Sequence, residues 1–212
     1  MEIDIPAAQE RLTGDLEAPD RPFGAVLFAH GSGSSRFSPR NRMVAEALRE
    51  RGLATLLMDL LTAEEDEEDR RTARLRFDIS LLAERLIAAV DRVVGEPRTA
   101  GLPVGCFGAS TGAAAALVAA ARRSEAVRAV VSRGGRPDLA AEELPSVKAP
   151  TLLIVGGADQ AVIGMNREAM ELLPGEAELV LVPGATHLFE EPGALEEVAR
   201  HAGNWFVRHL ER

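Results

Sequence analysis

The stretch that most constrains this chain is Gly108-Ala109-Ser110-Thr111-Gly112. An apolar run, Leu102 to Phe107, leads into it, and a run of small residues, Ala113 to Ala121, leads out. The pattern predicts a strand, a tight turn and a helix, with a hydroxyl at the apex. Glycine two residues to either side of the serine removes the Cβ atoms that would hold strand and helix apart. Such a turn lifts the hydroxyl off the sheet and sets it beside a helix N-terminus. There, backbone N–H groups without intrahelical partners and the helix dipole favour developing negative charge. A G-x-S-x-G string arises by chance in a sequence rich in Gly, Ala and Ser, so its strand–turn–helix setting carries the signal. The alternative reading is a small-residue turn within an α/β fold.

The rest of the chain has the same grain. Gly24 to Ala29 and Leu53 to Met58 are continuous apolar runs, the mark of strands buried on both faces. Val127 to Val131, Thr151 to Val155 and Glu178 to Val182 follow the serine as three further strands. A helix is predicted to start at Ser38-Pro39, a cap followed by proline, and to stop at Gly52. Others are expected from about Phe77 to Val94, around Asp138 to Leu144, around Ile163 to Leu173, and from about Ala194 to Leu210. The first residues read as a hairpin of Glu2 to Pro6 with Arg11 to Glu17. The acidic run Glu64 to Asp69 reads as a solvated loop. Strands alternating with helices imply an α/β class, with a mainly parallel twisted sheet and helices on both faces. No repeat or low-complexity linker divides the chain, so residues 1–212 are expected to form one domain.

In such sheets ligands sit at the carboxyl ends of strands. A serine there needs a base, and the base an orienting partner. His187, in Gly184-Ala185-Thr186-His187-Leu188-Phe189, follows the last strand and is the best-placed base. His201 and His209 fall on the final helix, and His30 ends a strand before a glycine-serine loop. The acid is expected between serine and histidine. Asp159, in Val155-Gly156-Gly157-Ala158-Asp159, ends a strand directly. Asp138 lies further from its strand and resembles a helix N-cap, which makes it the second choice.

The order Ser110, Asp159, His187, each on the loop after a separate strand, resembles the α/β-hydrolase fold. Within it, residues 20 to 212 are most similar to the small, lidless dienelactone-hydrolase-like group. The resemblance implies Ser110 as nucleophile, His187 as general base and acid, and Asp159 as the carboxylate that orients the histidine. It also implies an oxyanion hole from the backbone N–H groups of Thr111 and Ser32, with Gly31 or Gly33 replacing Ser32 if the loop turns differently. His30 is then structural. Dienelactone hydrolases proper usually carry cysteine at the elbow, whereas this chain has serine. Its one cysteine, Cys106, lies four residues earlier in a buried strand and reads as an inert core thiol. About twenty residues separate Val131 from Thr151, too few for an inserted helical cap domain.

The expected activity is hydrolysis of carboxylic esters of small molecules, with lactones and thioesters within reach, through an acyl-enzyme. The competing expectation is a non-catalytic ligand-binding module on the same fold. A net charge of −9 argues against nucleic acid as a partner. No apolar run approaches the roughly 20 residues that span a bilayer, so no membrane partner is expected. No basic and apolar leader precedes the first strand, and a lone cysteine suits a reducing compartment, so the cytoplasm is the expectation. No metal cluster, phosphate loop or dinucleotide fingerprint appears, and no cofactor is implied. Oligomeric state leaves no mark in the sequence. Arg36, Arg40, Arg133 and Arg136 fall at the carboxyl edge, and Arg36 and Arg133 are candidates for pairing with a substrate carboxylate. Alternatively these arginines pair with Glu64 to Asp69 or with Glu190 and Glu191.

Overall fold

Eight strands form one sheet in the computed structural model, which describes residues 1–211. They are β1 (Glu2–Ala7), β2 (Glu10–Glu17), β3 (Gly24–Ala29), β4 (Leu53–Met58), β5 (Val104–Ala109), β6 (Val127–Arg133), β7 (Thr151–Gly156) and β8 (Ala177–Val182). Their order across the sheet is β1-β2-β4-β3-β5-β6-β7-β8. The β1–β2 and β2–β4 pairs are antiparallel, and from β4 to β8 every pair is parallel. The hairpin expected at the start of the chain is thus an antiparallel margin on a parallel sheet.

The helices are α1 (Pro39–Glu50), α2 (Ala63–Thr72), α3 (Ile79–Val94), α4 (Thr111–Arg122), α5 (Gln160–Leu172) and α6 (Ala194–Leu210). Side chains alternate along each strand, so one strand feeds two cores. Leu27, Cys106 and Val130 pack with Leu86, Val90 and Leu117 of α3 and α4. Val26, Phe28, Phe107 and Val131 pack on the other face with Val44 and Leu48 of α1 and with Val198, Trp205 and Phe206 of α6. β3, β4, β5 and β7 are buried along their whole length, as their unbroken apolar runs require. Among the described residues no helix is long and apolar enough to cross a membrane.

Two local expectations are corrected. Glu64 to Asp69 is not a loop but most of α2. Thr62 and Glu65 form a capping box there: Glu65 N–H donates to Thr62 Oγ1 and Thr62 N–H to Glu65 Oε2. Acids in the first turn and Arg70 and Arg71 in the last complement the helix dipole, so a segment without an apolar stripe still forms a helix. The helix expected at Asp138 to Leu144 is instead two short 3-10 turns, Pro137–Ala140 and Leu144–Ser146. Pro145 has no N–H to continue a helical ladder. Asp138 caps no helix; its carboxylate takes bonds from the Arg136 guanidinium.

Candidate active site

β5 ends at Ala109, and α4 begins at Thr111. Ser110 alone makes the turn, with φ 51° and ψ −120°. A non-glycine residue in that region carries about 1–3 kcal/mol of strain, which the surrounding packing must hold. The close fit is visible at the flanking glycines. A Cβ on Gly108 would lie 2.4 Å from Ala113 Cα, and one on Gly112 2.3 Å from the Ala29 carbonyl oxygen. Neither site admits alanine without moving backbone. The turn is fixed by Ser110 N–H donating to Arg133 O at 3.2 Å and by Arg136 N–H donating to Ser110 O at 3.1 Å.

Asp159 stands directly beyond β7, at the N-terminus of α5, and its side chain does not cap that helix. It instead receives a hydrogen bond from His187 Nδ1 at 2.8 Å. The bond joins two loops already sewn together, Ala158 N–H donating to Ala185 O at 2.9 Å and Gly157 N–H to Val182 O at 2.8 Å. With Nδ1 facing the carboxylate, the imidazole presents Nε2 outward as an acceptor. The ring passes over Gly134, where an added Cβ would sit 3.5 Å from His187 Cε1. Gly134 follows Arg133, the residue that accepts the Ser110 N–H, so elbow and histidine both border the end of β6. Asp138 is paired with Arg136 and makes no bond to His187.

The loop after β3 forms the opposite wall. Ser34 N–H closes a turn onto Gly31 O, and Ser32 Oγ lies 3.1 Å from Thr111 Oγ1. Thr111 is the first residue of α4, so its N–H has no acceptor within the helix. His30 secures this loop. Buried at the end of β3, it donates from Nδ1 to Gly31 O at 2.9 Å and accepts Leu60 N–H at Nε2 at 3.0 Å. Burial pushes its pKa below the ordinary 6.5, despite opposing effects of the Gly31 bond and of Asp59 and Asp66. The unfolded chain therefore takes up a proton below about pH 6.5 that the folded protein resists. The stabilising effect is complete above that pH and declines as pH falls below it. Between pH 7.5 and 5, the unfolding free energy measured in urea is expected to fall less in His30→Leu than in the unsubstituted protein. Equal falls would mean that His30 does not carry this dependence.

Burial pushes the Cys106 thiol up to about 12, which leaves it without nucleophilic character at neutral pH. Arg36 does not reach the mouth of the site as a free cation. Asp59 Oδ1 and Oδ2 accept its backbone N–H and Nη1, and Glu2 and Asp15 flank the same guanidinium. Arg40 reaches Glu190 at 3.4 Å. Arg133, also a candidate, is buried at the end of β6 beside the elbow. A cleft of about 740 Å³ is lined by His30, Ser34, Arg36, Phe37 and Asp59 among others. It borders the outer flank of the Gly31–Ser35 loop and does not include Ser110 or His187.

One supporting residue escaped the sequence reading. Asn166, fully buried on α5, donates from Nδ2 to Gly135 O at 3.0 Å and so holds the loop after β6. Its signal was an amide on an otherwise apolar helix face with Val162, Ile163 and Ala169.

Residues 16–210 match the pattern of the dienelactone hydrolase family. The chain belongs to that family. A solved dienelactone hydrolase from Anabaena variabilis is 60% identical, with a TM-score of 0.97, and the match covers 99% of this chain and 97% of that one. Est1E from Butyrivibrio proteoclasticus, 16% identical over 98% of both chains, shares the fold with a TM-score of 0.82. Two proteins from strains of Mycobacterium tuberculosis are 59% identical over 99% of this chain and are provisionally named phosphoribosyl transferases. The chain spans 46% of their length, and their name describes proteins about twice its size.

Proposed function

We propose that this dienelactone hydrolase family member is a serine hydrolase that cleaves carboxylic esters of small molecules, lactones and thioesters among them. Ser110 Oγ attacks the ester carbonyl while His187 Nε2 takes its proton. Asp159 keeps the imidazole in the tautomer with the proton on Nδ1 and stabilises the imidazolium that forms. The oxyanion of the tetrahedral intermediate is received by the backbone N–H groups of Thr111 and Ser32. His187 then protonates the departing alkoxide, which leaves Ser110 acylated. Water, deprotonated by the same histidine, attacks the acyl group and releases the acid.

The observation that carries this reading is the Asp159–His187 bond at the sheet edge that also presents a serine held at φ 51°. A binding module has no evident use for such strain at Ser110. The test is pre-steady-state hydrolysis of 4-nitrophenyl acetate. The expected result is a burst of nitrophenol with one equivalent per protein molecule at most, followed by steady turnover, because this activated ester acylates the serine faster than water removes the acetyl group. Turnover no faster than the background rate in buffer, across short-chain, aryl and lactone esters, would favour the binding module.

A further inference from the structure

Two arginines are buried among the described residues, and they are treated very differently. Arg85 donates to Ala7 O and to Glu65. Arg133, 9% exposed, has its Nη1 buried with no hydrogen-bond partner. The charged neighbour that bears on it is another cation, Arg40. Arg40 in turn has a buried Nε without a partner and only a long contact to Glu190. Burial brings the Arg133 guanidinium down to about 10, so it remains protonated at neutral pH. A buried charge that lacks a counter-ion and lies beside a like charge is strongly unfavourable unless something completes it.

The location is telling. Arg133 pairs in register with Ala109, the residue before the nucleophile, and its carbonyl accepts the Ser110 N–H. Ser132 turns toward α4, where its Oγ would lie 2.0 Å from a Cβ on Gly135. Arg133 therefore projects to the opposite face, the one Val131 shares with α1 and α6. Arg40, the cation whose charge bears on it, stands in the first turn of α1, where the helix dipole is positive. Two guanidinium groups thus lie near the elbow, and among the described residues no carboxylate pairs with Arg133.

The geometry points to an anion subsite at this place: Arg133, with Arg40 beside it, holds a carboxylate or phosphate group of the substrate whose ester carbonyl lies on Ser110. A planar guanidinium suits either group, since both offer paired oxygens to its parallel N–H donors. The effect on turnover rests on the serine-hydrolase reading above, but the binding of the anion does not.

Two experiments keep these apart. In the first, kcat/KM is compared for 4-nitrophenyl acetate, mono-4-nitrophenyl succinate and 4-nitrophenyl 3-phosphonopropanoate. At least one anionic ester is expected to be preferred over acetate, with the preference shrinking as salt rises. Arg133→Gln is expected to reduce the anionic-to-neutral ratio by about tenfold or more, in line with loss of a charged hydrogen bond, and Arg40→Gln to reduce it less. Equal losses on charged and neutral esters would overturn the subsite. The second experiment needs no chemistry. The melting temperature of Ser110→Ala is followed with added succinate or inorganic phosphate at constant ionic strength. A rise that disappears in Ser110→Ala/Arg133→Gln and weakens in Ser110→Ala/Arg40→Gln supports the subsite, and the more protective anion identifies the group. No protection by either anion would overturn it. Protection without hydrolysis of any ester would retain the subsite and reject the esterase reading.

Discussion

Ser110→Ala is expected to lower kcat for ester hydrolysis by roughly 10⁴–10⁶-fold, and His187→Ala to do the same. The double variant should lose little more. In the proposed mechanism nucleophile and base act as one unit: without the base the hydroxyl stays protonated, and without the hydroxyl the base has nothing to activate. The residual rate belongs to binding and to the oxyanion-stabilising N–H groups, which neither substitution removes. Alanine at position 110 keeps a Cβ and so retains the positive φ of the turn with the same kind of backbone strain. The loss should therefore come without a large fall in melting temperature. Purified Ser110→Ala that kept more than a tenth of the original turnover would contradict the assignment.

Asp159→Asn is expected to cost about 10⁴-fold in kcat. The carboxylate accepts the Nδ1 proton of His187 at 2.8 Å, which leaves Nε2 free to receive the serine proton. An amide can turn its NH₂ toward Nδ1 instead, stabilising the tautomer with its proton on the wrong nitrogen. Overall geometry is then kept while the base is disabled. Asp138→Asn is the comparison. Its carboxylate is engaged by Arg136, away from His187, and the change should cost less than tenfold. Steady-state kinetics on a neutral aryl ester would check both, and a reversal of the two effects would mean that the acid belongs to β6 and not β7.

Much of this was legible in the sequence because single local rules dominated. The parallel strands announced themselves as unbroken apolar runs, since a strand covered on both faces has no polar side to show. The elbow was legible because only glycine tolerates the approaches made at positions 108 and 112. Asp159 and His187 could be placed because each follows its strand at the edge where loops converge. What was missed depended on partners distant in sequence. The six acids from Glu64 to Asp69 lack an apolar stripe, and their helicity rests on the Thr62–Glu65 box and on charge placement. Asp138 looked like a cap because the turn that follows it begins like a helix, but Pro145 lies within its reach. Arg36 could not be told from Arg133 by position. One is surrounded by Asp59, Asp15 and Glu2, the other by none of them, and no local pattern encodes which strand-end carboxylates fold back.

Covalent labelling reads out whether Ser110 is an activated nucleophile. The folded protein is incubated with a fluorophosphonate, digested, and the modified peptide mapped by mass spectrometry. One adduct is predicted, on Ser110, absent from Ser110→Ala and strongly slowed in His187→Ala, because only a serine relieved of its proton displaces fluoride. A protein left unlabelled, or an adduct on another serine that persists in Ser110→Ala, would exclude Ser110 as the nucleophile.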